Sequence, residues 1–257
     1  MHIIYFIIIL AATFVGAIAG LGGGLFIRPI FDTIAYHNAL TISFFSSSAI
    51  ATMAIANTIK KIKAGVKIEV KMALSIACGA IVGGFFGNIL LEFTTVHLSD
   101  EEVRLLHAIL TIIVVSIALF VTDRFKLKNP LKNPAAALPL GLIAGIIGTY
   151  LGLGGGIINV PFLMIFFGLG MKDATTNSIV IIFFAHTSRI ITLGFTVGYA
   201  YFDLSFLFFI IPAAIFGGLL GASISKKFSD NKIKRFFQAS LCFVIFINVF
   251  NAILILF

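Results

Sequence analysis

Two glycine-rich stretches, Gly20-Leu21-Gly22-Gly23-Gly24 and Gly152-Leu153-Gly154-Gly155-Gly156, each with a proline shortly after (Pro29 and Pro161), are the first residues in this chain whose spacing could do chemistry. Part of the pattern is accounted for by packing. Gly16, Gly20 and Gly24, like Gly148, Gly152 and Gly156, recur every fourth residue and form a ridge that lets helices approach closely. That does not explain Gly22, Gly23, Gly154 and Gly155. The extra pairs fit an unwound turn whose free N–H groups open a following half-helix, and such helix starts hold anionic groups. The stretch is no P-loop, for it lacks the Gly-Lys-Ser/Thr end, and no Rossmann turn, for it lacks a preceding strand and a third spaced glycine. Gly22, Gly23, Gly24, Gly154, Gly155 and Gly156 are therefore candidate anion-binding positions.

Three ionisable residues lie deep in apolar runs: Arg28, His186 and Arg189. Such groups are costly in lipid and face a cavity or a partner. Arg28 follows the first glycine stretch by one turn and would add positive charge there. His186 and Arg189 share a helix face at i, i+3 spacing. A basic pair without an intramembrane carboxylate suits an anion path, and snorkelling to the interface is the competing reading, stronger for Arg28. Ser46, Ser47 and Ser48, with Thr175, Asn177 and Ser178, open matching helices; they could hydrogen-bond an oxyanion or serve only as caps and interhelical links. Five scattered histidines with no motif make an enzyme reading poor. Cys78 and Cys242 sit in apolar runs and read as buried small hydrophobes rather than as a disulfide or metal site.

These residues need elements to position them, and composition says which. Of 257 residues 60% are hydrophobic and 11% charged, with a mean hydropathy of +1.14. A soluble domain carries about a quarter of its residues charged. The apolar residues come in runs near the ~20 that cross ~30 Å of hydrocarbon, without the short alternating segments of a transmembrane barrel. Backbone groups in lipid must then be satisfied within helices. The fold class is an all-α integral membrane protein. The net charge of +8 does not indicate nucleic acid, because most Lys and Arg fall in three loops: Lys60, Lys61, Lys63, Lys67 and Lys71; Arg124, Lys126, Lys128 and Lys132; Lys226, Lys227, Lys232, Lys234 and Arg235. Short basic loops mark the cytoplasmic side and can touch anionic headgroups. The apolar start lacks a basic leader region, and its pattern recurs later, so it reads as structure.

The recurrence is extensive. Gly16 to Pro29 align with Gly148 to Pro161, Ala39 and Ser43 with Ala174 and Ser178, Glu69 with Asp203, Gly83-Gly84-x-x-Gly87 with Gly217-Gly218-x-x-Gly221, and Ser99-Asp100 with Ser229-Asp230. Order is kept and the offset drifts by only a few residues, as in a duplication. Ser99 with Glu102 predicts a capping box, Ser229-Asp230 a helix start, and Glu69 and Asp203 sit where a carboxylate favours a helix start. Each half holds four apolar segments, near 3–36, 39–59, 70–92 and 103–122, then 135–169, 174–197, 204–225 and 233–257. The basic loops of the two halves fall at non-equivalent places, so the halves cross an odd number of times with opposite sidedness. An odd count follows if the first segment of each half is a hairpin. Residues 3–36 as one straight helix would reach about 50 Å, too long for a bilayer. The expectation is two inverted-topology repeats, 1–128 and 129–257, each of about five helical pieces with a Gly-broken first hairpin, and both termini outside.

Paired Gly-Leu-Gly-Gly-Gly-x4-Pro motifs, with the later Gly-Gly-x-x-Gly repeats, resemble the sulfite exporter TauE/SafE family over essentially the whole chain. The resemblance implies a multi-pass inner-membrane permease for small sulfur-containing anions such as sulfite, sulfonates or sulfoacetate. It carries over Gly22–Gly24, Gly154–Gly156, Pro29 and Pro161; Val160 stands opposite Arg28, so no two-fold arginine pair is implied. The expectation is a secondary transporter of a small anion, in a lipid bilayer, with the substrate held at paired half-helix N-termini where the two glycine breaks meet near the bilayer centre, and with no cofactor, metal or nucleic acid and no nucleotide-binding motif for ATP drive. A passive anion channel is the first rival and a membrane-embedded enzyme the weaker one. The oligomeric state is open, a homo-oligomer included.

Overall fold

A computed structural model describes residues 1–66, 69–124, 130–131, 133–153 and 155–256. Lys67, Lys126, Lys128, Lys132, Gly154 and the side chain of Arg124 lie outside the described residues. The described chain is helical, with no strand. The helices are α1 (His2–Ala19), α2 (Gly24–Ile34), α3 (Ala39–Lys63), α4 (Val70–His97), α5 (Asp100–Arg124), α6 (Leu138–Tyr150), α7 (Gly156–Phe166), α8 (Met171–Thr196), α9 (Leu207–Lys227) and α10 (Asp230–Leu256). Seven are long and apolar enough to cross a membrane; α2, α6 and α7 are shorter. The outer surface is apolar, with Phe195 at 88% and Phe208 at 82% exposure, which only lipid can cover without cost. The protein is a multi-pass helical membrane protein.

The long apolar segments break where the glycines are. α1 ends at Ala19 and α2 begins at Gly24; α6 ends at Tyr150 and α7 begins at Gly156. The α1–α2 unit is a hairpin with both ends on one side. His2 Nε2 lies 3.1 Å from Ser205 Oγ, and Asn38, just past α2, donates to Tyr201 Oη at 2.7 Å. The predicted capping box is present: the Ser99 N–H donates to Glu102 Oε2 at 2.8 Å and the Glu102 N–H to Ser99 Oγ at 3.3 Å. Asp203 accepts from the Ser205 N–H. Glu69 makes no side-chain cap; its backbone N–H donates to Asn177 Oδ1 at 3.0 Å.

Small residues set the packing. α4 lies along α6, and α9 along α1. A Cβ at Gly83 would strike the Leu142 backbone, and one at Gly145 the Ala80 backbone. In the other half, a Cβ at Gly221 would strike Phe14. The two Gly-Gly-x-x-Gly motifs thus allow backbone-to-backbone contact, which in lipid replaces the hydrophobic drive that water would supply. Further in, α3 crosses α8, and α5 packs on α10. Cys78 and Cys242 are free thiols on the exposed surface rather than buried as expected. They occupy helix faces turned away from the bundle, which an apolar run alone does not distinguish from inward ones.

Candidate functional site

The site begins with two helix starts. Gly23 is the residue before α2 and Gly155 the residue before α7, at φ 81° and 71°. That left-handed region is open to glycine and strained for a residue with a Cβ. Neither start has a side-chain cap. The first four N–H groups of a helix lack intrahelical partners, so both turns present donors that no side chain of the cap satisfies.

The two breaks that precede these starts adjoin each other. A Cβ at Gly156 would come within 2.6 Å of Leu21 Cα, and one at Gly152 within 3.0 Å of Arg28 Nη1. The two breaks therefore meet flank to flank, with the Arg28 side chain of α2 beside the second break. Each tip is also folded tightly on its own hairpin. Gly148 and Gly155 are so close that a Cβ on the first would lie 3.0 Å from the second. Ser178, a predicted site residue on α8, donates to the Gly20 carbonyl at 2.9 Å and so holds the first tip.

Around this junction lies a buried polar cluster. Arg28 is 2% and Arg189 1% exposed. Arg28 Nε pairs with Asp32 Oδ2 at 3.2 Å, and its Nη2 lies 2.5 Å from His107 Nδ1. Arginine has no acceptor and stays protonated, so Nδ1 of His107 accepts and the ring is neutral with its proton on Nε2. Arg189 donates to the Thr149 carbonyl, just before the second break, and to Ser43 Oγ on α3. Among the described residues, Arg28 Nη1, Arg189 Nε and His107 Nε2 have no hydrogen-bond partner. These are donors, and donors are what an anion requires.

His186 is buried on the other flank, where it lines a space of about 10 Å³ with Thr149, Gly155 and Asn159. That is room for about one water. Ser46 and Ser47 are buried with unpartnered hydroxyls among the described residues, whereas Ser48 donates back to Phe44 and Thr175 to Lys172. Asn177 is committed to Glu69 and to the Asp173 carbonyl, away from the breaks.

Asp32, His107, Ser43, Thr149 and Asn159 were not singled out from sequence. Asp32 was available as the i+4 partner of Arg28, and it places a carboxylate inside the span where only basic groups were expected. His107, near the start of the apolar run 103–122, carried a weaker form of the signal that marked His186. Ser43 was marked only as the repeat partner of Ser178; Thr149 and Asn159 carry no local signal.

Two larger cavities lie toward opposite ends of α3, whose 25 residues measure about 37 Å at 1.5 Å per residue. One, near 350 Å³, is lined by Asp32, Thr33, Glu101, Arg104 and Asn251. The other, near 220 Å³, is lined by Lys60, Lys61, Lys172, Thr176 and Lys226. Among the described residues, no group of three or more His, Cys, Asp or Glu could hold a metal ion.

Residues 5–248 match the sulfite exporter TauE/SafE family. The chain belongs to that family. Among curated relatives of this TauE/SafE chain, the "Probable membrane transporter protein MamO" of Magnetospirillum gryphiswaldense is 26% identical over 119 residues, 44% of this chain and 18% of that protein. The "Probable membrane transporter protein YunE" of Bacillus subtilis is 26% identical over 121 residues, 46% of this chain and 43% of that protein. The matches thus span less than half the length of these relatives. Both are named as transporters, and the TauE/SafE family is one of transporters rather than enzymes.

Proposed function

We propose that this chain is a secondary transporter of a small anion, a sulfur oxyanion or organosulfonate, held where the starts of α2 and α7 adjoin. The observation that carries this reading is the pair of uncapped helix starts whose glycine breaks pack against each other, Gly156 on Leu21, flanked by two buried guanidinium groups. Each start carries roughly half a positive charge, and two together offset most of one monovalent anion. The unpartnered Arg28 Nη1 and Arg189 Nε add directed donors. Gly22–Gly24, Gly155 and Gly156 form the cradle in this reading, with His186 beside the second tip and Ser46 and Ser47 on α3; Gly154 belongs by the repeat, and Asn177 acts as a tether. Family membership and the relatives' names support transport, and the family's description supports a sulfur anion.

The same proposal takes 1–128 and 129–257 as inverted repeats in the inner membrane, with both termini outside. Exchanging the halves turns the α1–α9 contact into the α6–α4 contact and leaves α3–α8 and α5–α10 unchanged, as a two-fold axis requires. The lysine-lined cavity then faces the cytoplasm and the Asp32 cavity the outside. Close packing of Gly156 on Leu21 and of Gly148 on Gly155 favours alternating exposure of one site over an open pore.

The test is flux in proteoliposomes with sulfite, sulfoacetate, isethionate and chloride. Saturable flux of one or more sulfur anions that accumulates against its own gradient is the expected result. Equilibration alone would favour the channel, and equal flux of chloride would remove the sulfur-anion assignment.

A further inference from the structure

Resting on the anion site proposed above, the Arg28–Asp32–His107 cluster carries a second inference. We propose that Asp32 is a proton-binding site coupled to the anion site, so that each anion bound is accompanied by one proton taken up through the cavity lined by Asp32, Glu101 and Arg104.

The argument begins with sharing. One guanidinium serves Asp32 through Nε and His107 through Nη2, while its Nη1 faces the second glycine break, next to Gly152. An anion received there places a second negative charge on the same planar group as the carboxylate. Two anions within roughly 5 Å cannot both stay ionised cheaply out of water, and the one able to protonate does so. A sulfonate is the anion of a strong acid and does not take the proton. His107 is not a competing acceptor, because its Nδ1 already receives an N–H of Arg28. Asp32 remains. Its Oδ1 has no partner among the described residues, so a proton placed there breaks no bond. The step is simple addition: carboxylate plus a proton from the aqueous cavity gives carboxylic acid, which keeps its contact with Arg28 Nε through Oδ2 and leaves the guanidinium charge to the anion at Nη1.

The surroundings favour this. From α5, Asp32 faces Arg104, with Asp100 more remote and Glu101 on the cavity wall. Among the described residues, α10 contributes Asn251, Leu254 and Ile255, none of them titratable, to the cavity wall. On α1 the nearby titratable group is Tyr5, stacked on Phe31, and the lysines of α3 lie at its far end. α7 has no titratable residue. Arg28 is thus the one cation in direct ion-pair contact with Asp32 among the described residues. The exposed Glu101 at the cavity wall gives protons a polar route inward. The consequence is functional: a proton and an anion would move together, and a pH gradient would drive transport.

The experiment is calorimetric titration of the purified protein with sodium methanesulfonate, which stays ionised throughout, in two buffers of different ionisation enthalpy. Their difference reads protons taken up per anion bound. Wild type should take up about one proton per anion, the charge balance of a like-charge pair, and Asp32→Asn should take up none. Binding without uptake in the wild type overturns the coupling and leaves the anion site standing, and so does uptake that persists in Asp32→Asn. Absence of binding by both methanesulfonate and sulfite overturns the anion site and the coupling together. If Asp32→Asn elutes as an aggregate in size-exclusion chromatography, the wild-type stoichiometry decides alone.

Discussion

At the scale of single residues, the burial of Arg189 is the most consequential fact. Its guanidinium bridges the Thr149 carbonyl at the end of α6 and Ser43 on α3, tying the second break to the helix that crosses α8. Arg189→Gln removes a charge-assisted donor from the site, and sulfite affinity should fall about 10- to 100-fold. The folded protein should persist, because losing a buried charge relieves a desolvation cost. Sulfite titration and size-exclusion chromatography check both halves of that expectation; wild-type affinity would remove Arg189 from the site. Sequence made Arg28 and Arg189 legible, because an ionised group in an apolar run needs a reason to be there. It did not make their partners legible. His107 is 79 positions from Arg28, and no local pattern ties the two together. Asp32 is the instructive omission. The helical spacing was present, but the aligned position in the second half, Met164, is apolar, so the repeat gives Asp32 no support, and only its i+4 relation to Arg28 marks it.

At the scale of elements, glycine decides both where helices break and where they touch. Gly23→Val adds a branched side chain at φ 81° and against the backbone of Thr13, 3.2 Å from the new Cβ; Gly155→Val adds one at φ 71°. Both should abolish sulfite flux, by closing the cradle and by straining the turn. Flux near wild type in either variant would show that its turn is only a hinge. The glycines of the α4–α6 seam make a different prediction. Gly83→Leu would drive a side chain into the Leu142 backbone, and thermal unfolding in detergent should show a loss of about 1–3 kcal/mol or more. Gly84→Leu should cost clearly less, since a Cβ there meets only the Thr149 hydroxyl, at 3.2 Å. Equal losses at the two positions would contradict the packing argument. The ten helices were legible from run length and glycine position to within a few residues. Their partners were not, because lipid-facing and bundle-facing sides of a transmembrane helix are both apolar, and only the small residues betray the seam.

At the scale of the whole molecule, the proposed inverted repeats and the two end cavities would give a membrane protein one shared site and two ways to reach it. Single cysteines placed at Lys63 and Tyr201 in a cysteine-free background should label from opposite sides, the first from the cytoplasm and the second from outside. Labelling from one side would end the inverted-repeat reading. Duplication and charge placement were legible because they are written along the chain. That the two breaks meet was legible too, because inverted copies of one hairpin would bring their tips in from opposite sides; the flank-to-flank contact of Gly156 with Leu21 was not, since it depends on how deep each hairpin reaches. The central claim, that the joined breaks carry an anion through a closed path, is tested most directly by radiolabelled sulfite uptake into proteoliposomes under an imposed pH gradient, with wild type and Gly155→Val side by side. The account predicts accumulation above the external concentration for wild type and none for Gly155→Val. Simple equilibration by the wild type, or accumulation by Gly155→Val at the wild-type level, would contradict it.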